Sequence, residues 1–173
     1  MTAELGNFAL VLAMFVAAIQ ASLPLIGAER RYTPWMALAR PTALLQFVLV
    51  AIAFACLTNL YITSDFSVLT VSQNSHTDKP LIYKISGVWG NHEGSLLLWV
   101  LILAVFGSAV ALFGTNLPPQ LRARVLAVQA MIAFGFYLFL LLTSNPLERL
   151  VPAPDNGQGL NPLLQDPGLA FHP

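Results

Sequence analysis

Four apolar runs, at residues 5–27, 42–62, 96–113 and 125–142, limit what this 173-residue chain can become. Each approaches the ~20 residues that cross a ~30 Å hydrocarbon layer at 1.5 Å per residue. In lipid every backbone amide and carbonyl must be satisfied within its own segment, so helices are the expected form. Only 9% of the residues are charged and 57% are hydrophobic, against about 25% charged in ordinary soluble domains. The sequence therefore predicts an all-α membrane protein, a helical bundle of four transmembrane helices with loops at either end.

The charges choose an orientation. Arg30, Arg31, Arg40, Arg122 and Arg124 fall in the two connections after spans one and three, with only Glu29 beside them. The other side holds Lys79, Lys84 and Arg149 against Glu4, Asp65, Asp78, Glu93, Glu148, Asp155 and Asp166. The positive-inside rule makes the arginine-rich connections cytoplasmic and places the N-terminus, residues 63–95 and residues 143–173 outside. The first run lacks a basic leader, carries Arg30 and Arg31 after it, and has no small-residue cleavage site, so an uncleaved helix is expected.

Local features refine this layout. Gln20, Ser22 and Pro24 should face other helices, as should Gln129 and Tyr137, because lipid offers them no partner. Cys56, the one cysteine, reads as a small core residue. Tyr32 and Trp35 suit an interfacial loop, and Pro118 with Pro119 forces the turn before span four. The run FSVLTV at 66–71 predicts a strand or extended crossing, and His76, among Asn74, Ser75 and Thr77, a solvated loop histidine.

Two stretches carry the chemistry. GVWGNHEGS, at 87–95, sets Trp89, His92 and Glu93 at the mouth of span three. Asn91 can cap that helix and Glu93 can favour its positive end, which leaves the histidine with less to explain it. LNPLLQDPGLAFHP, at 160–173, uses three of its prolines to stiffen a loop that presents His172. Leu150, Val151, Leu160, Leu163, Leu164, Leu169 and Phe171 make the last thirty residues apolar enough to need covering. No P-loop, paired-cysteine metal site, nucleophile elbow or basic aromatic surface is present, so nucleotide-driven, hydrolytic and nucleic-acid functions lose support. Spans without paired charges argue equally against a transporter. Imidazoles with few charged neighbours suit haem iron better than zinc, which needs three or four converging ligands, although a structural or solvated His172 stays open on this chemistry alone.

GVWGNHEGSLLLWVLILAVFG at 87–107 and NPLERLVPAPDNGQGLNPLLQDPGLAFHP at 145–173 closely resemble the N-terminal region of the CcmF family (CcmF/NrfE/CycK), the haem lyase subunits of cytochrome c-type biogenesis. The resemblance spans essentially the whole chain. It implies a multi-pass protein of the bacterial cell inner membrane. Such a protein takes haem from the chaperone CcmE at the periplasmic face and joins its vinyl groups to the cysteine thiols of a CxxCH apocytochrome c. It implies that His172 is one axial haem ligand, held through the iron, with Trp89, His92 and Glu93 as candidate supporting residues. CcmH/CcmI-type maturation subunits, the lipid bilayer and the C-terminal portion of the same protein are the implied partners, with no nucleic acid. The family continues past the point matching Pro173 into a tryptophan-rich segment and further histidines. These 173 residues thus read as an N-terminal portion that supplies one ligand of an incomplete site and is inactive alone. A non-catalytic scaffold that docks other maturation subunits is the alternative.

Overall fold

A computed structural model describes residues 1–159 and residue 168, so the expectations for His172 and its loop lie outside the described residues. Each apolar run falls inside one long helix: α1 (Thr2–Glu29), α3 (Ala39–Ile62), α6 (His92–Phe113) and α7 (Pro119–Thr143). All four are long and apolar enough to cross a membrane. Between them lie three short helices, α2 (Thr33–Ala37), α4 (Leu69–Asn74) and α5 (Leu81–Gly87). The long helices run alternately up and down, α1 packing on α3 and α7, α3 on α6, and α6 on α7.

Small residues let the helices approach closely. Ala3, Ala9, Ala13 and Ala17 of α1 meet Ala53 of α3 and Ala133 of α7 in one core, with Leu10, Val50, Leu57 and Leu140 filling between them. In lipid such packing replaces the hydrophobic driving force, because acyl chains are as apolar as leucine. A hydrogen-bonded chain crosses the same core. Gln20 Nε2 donates to the Leu126 carbonyl at 2.9 Å, Gln46 Nε2 to Gln20 Oε1 at 2.9 Å, and the Tyr137 hydroxyl to Gln46 Oε1 at 3.1 Å. Gln129 likewise donates to the Leu103 carbonyl. Gln20, Gln129 and Tyr137 thus face neighbouring helices as the sequence predicts, and Gln46 joins them. Ser22 does not: it is exposed and donates to its own helix at the Ala18 carbonyl, 2.7 Å away, which satisfies the hydroxyl without a partner helix.

The two ends of the bundle differ. The narrow end holds the arginine-bearing connections, where Arg124 pairs with Glu29 at 2.9 Å. There Trp35 and Met36 of α2 press against Gly27, where a Cβ would come within 2.8 Å of Trp35. The wide end carries residues 63–91 and 144–159. In this layer the expected strand at 66–71 is largely absent. Val68 forms one antiparallel bridge with Arg149, and from Leu69 the chain turns into α4. One rung of pairing leaves the rest of FSVLTV free to coil, and Phe66, Val68 and Val71 are still buried.

Candidate functional site at the wide end

GVWGNHEGS forms the corner between α5 and α6, and Asn91 organises it. Its Oδ1 accepts the Gly94 amide at 2.7 Å, capping α6. Its Nδ2 reaches the Gly87 carbonyl at 2.7 Å and the Tyr61 hydroxyl at 2.9 Å. Tyr61, fully buried at the end of α3, donates a hydrogen bond from its hydroxyl to the Thr70 carbonyl of α4 at 3.1 Å. One side-chain amide therefore ties α3, α4, α5 and α6 together. Gly94 packs so tightly on the Val88 carbonyl that no Cβ could stand there.

The three sequence-predicted side chains diverge from this corner. Trp89 is half-buried and packs against the core. Glu93 is half-buried in the first turn of α6, where its charge suits the positive helix end. His92 is exposed and lies edge-on to Phe139 of α7, ring centroids 6.1 Å apart at 83°. Below it an apolar groove of about 440 Å³ runs between α6 and α7, lined by Leu96, Ile132, Gly135, Phe136 and Phe139. His76, the loop histidine, is partly exposed, and its Nδ1 accepts the Asp78 amide at 3.2 Å. Among the described residues no three His, Cys, Asp or Glu side chains converge as a metal site would require.

Two organisers were not foreseen. Arg149 binds Glu4 through Nε at 2.8 Å and Nη2 at 3.1 Å, reaches Asp65 at 3.3 Å, and donates to Ser67. Leu69 N to the Glu148 carbonyl at 2.9 Å and Leu150 N to the Ser67 carbonyl at 2.8 Å complete the clasp. Beyond it, Asn156 exchanges hydrogen bonds with Thr77, and Gln158 and Gly159 donate to the Ser72 and Ser75 carbonyls. The segment after α7 is thereby laid across the layer and delivers the chain to residue 160. The one signal in the sequence was a lone arginine on the acidic side.

Lys79 is the second. Its ammonium is buried and donates to the Asn74 carbonyl at 2.8 Å. Burial, with the Lys84 ammonium nearby, brings it down to about 8 from an ordinary 10.5. Above pH 8 the folded chain releases a proton that the unfolded chain keeps until about 10.5, so stability should rise with pH through that window. Thermal unfolding in detergent at pH 7 and pH 9.5 should show the gain, and Lys79→Met should flatten it. An equal gain in the variant would refute the assignment.

With this geometry in hand, relatives place the chain. A family profile described as "Cytochrome C assembly protein" matches residues 89–173, which include both walls of the groove. The cytochrome c-type biogenesis protein ccl1 of Rhodobacter capsulatus is 63% identical over all 173 residues, and CycK of Rhizobium meliloti 62%. A solved structure titled "Cytochrome c Heme Lyase CcmF" superposes with a TM-score of 0.78 at 26% identity, covering 86% of this chain and 25% of that one. The fold and the family profile are those of a cytochrome c assembly protein. Within that class, the chain belongs to the CcmF/CycK family of cytochrome c-type biogenesis proteins, and it spans about a quarter (26%) of the length of the curated relatives it matches.

Proposed function

We propose that this chain serves cytochrome c maturation, handling haem at the periplasmic face of the bacterial inner membrane for attachment to apocytochrome c, with His172 as an axial ligand. The observation that carries the reading is an overall identity above 60% to cytochrome c-type biogenesis proteins across all 173 residues. Haem needs an imidazole and an apolar wall. The described residues fit in part: His92, exposed at the start of α6, offers an imidazole edge-on to the apolar ring of Phe139. Bound haem would supply the iron for the imidazole and the vinyl groups for the thiols. This chain's part is to hold the loop layer, through Asn91 and Arg149, so that residues 160–173 start from a fixed point. Trp89, His92 and Glu93 support that face, and CcmE, CcmH/CcmI-type subunits, apocytochrome c and the C-terminal portion of the family protein are the partners.

The test is a full-length family protein carrying these residues. His172→Ala should abolish haem retention and cytochrome c attachment while leaving the protein in the membrane. Retained haem with normal attachment would remove the axial assignment and favour the scaffold reading. Orientation is checked by reporter fusions, with Arg122 expected on the cytoplasmic side and Asn156 on the periplasmic side; the reverse would put the layer on the wrong face.

A further inference from the structure

The groove below His92 is cut into the side of α6 and α7 that α1 and α3 leave uncovered. It opens outward, and its floor is Gly135, where an added Cβ would meet no atom within 4 Å. From Ile132 to Phe139 the floor runs seven residues along α7, roughly 10 Å or two turns. A glycine with open space above it allows another backbone to approach, which is how helices associate in lipid. Both walls fall within residues 89–173, the part matched by the family profile, and the full-length relatives carry about three times as much chain again outside the matched region.

We infer that the α6/α7 groove, floored by Gly135 and walled by Leu96, Ile132, Phe136 and Phe139, seats a further apolar transmembrane helix from the remainder of the full-length family protein. A helix there would cover the exposed aromatic wall and close beneath His92, turning an exposed imidazole into one at a helix seam. Acyl chains could wet the same surface, but they draw nothing from a missing side chain in its floor, whereas an approaching backbone does.

The experiment uses a full-length family protein carrying these 173 residues, with a benzophenone photocrosslinker in place of Phe136. Phe106, which is 67% exposed and outside the groove, is the control position. Irradiated membranes should give an intramolecular adduct between position 136 and a peptide from outside residues 1–173, several-fold above the control. Gly135→Leu should remove that adduct and Gly135→Ala should weaken it. If the position-136 variant does not accumulate, the probe moves to Ile132. Adducts only with lipid, only with a separate subunit or second copy, or with nothing would overturn the inference, as would an adduct unaffected by Gly135→Leu.

Discussion

Gly94→Ala should be among the most damaging single changes in the described residues, costing ~3 kcal/mol or more and lowering the yield of folded protein. The cost follows from the corner. An alanine Cβ at this position would run into the Val88 carbonyl, which belongs to backbone that cannot swing aside. Relief would require moving the start of α6 away from the end of α5, and that movement stretches the 2.7 Å bond between Asn91 and the Gly94 amide. Asn91 would then lose its hold on Tyr61, so the disturbance would pass to α3 and α4. In these 173 residues by themselves Gly135→Ala is the matched control, because the same added methyl meets open space and improves helix propensity. Denaturant unfolding in detergent compares the two. Equal midpoints would mean that the corner tolerates a side chain and that the close approach is not a constraint.

Arg149→Met should release the segment at 144–159 without unfolding the bundle. Proteolysis within that segment should become about tenfold faster, since its rate follows the population of the open form. The variant removes the charge that joins α1 through Glu4 to the loop at Asp65 and Ser67, while Asn156, Gln158 and Gly159 keep their own bonds. The clasp also has a pH signature. Burial alone would raise the Asp65 carboxyl, but the Ser67 hydrogen bonds and the Arg149 charge outweigh it and leave it below its ordinary 3.8. A carboxylate held low when folded contributes stability above the unfolded value, and that stability is lost as pH falls through the lower folded value. Protection of the segment should therefore be flat from neutral pH down to about 5 and fall in acid below about 4, with a smaller fall in Arg149→Met. Unchanged proteolysis in the variant would refute the clasp.

What could be read in the sequence was what depends on neighbours. The four apolar runs gave four helices, Asn91 capped α6, and Gln20, Gln129 and Tyr137 found other helices because lipid offers them nothing. What could not be read were contacts between distant residues. Tyr61 meets Asn91 across 30 positions, and Arg149 meets Glu4 across 145, so no local window contains both partners. FSVLTV misled for the same reason. Its β-branched pattern was real, but among the described residues its one bridging partner is the short stretch around Arg149. The groove under His92 was equally hidden, because Phe139 and Gly135 look like ordinary residues of an apolar span until α6 is laid beside them.

The bond from Arg149 to Asp65 joins residues 84 positions apart in a chain that enters its membrane from one end. At about 5–20 residues per second of synthesis, Asp65 waits roughly 4–17 s for the arginine that will hold it. Throughout that interval the loop layer lacks the strap that later bonds to Ser67, Ser72, Ser75 and Thr77. The layer can set only when α7 has been threaded. Completion of the wide end therefore follows the threading of all four long helices, and a chain stalled before α7 would lack the bonds that Arg149 makes to Glu4, Asp65 and Ser67.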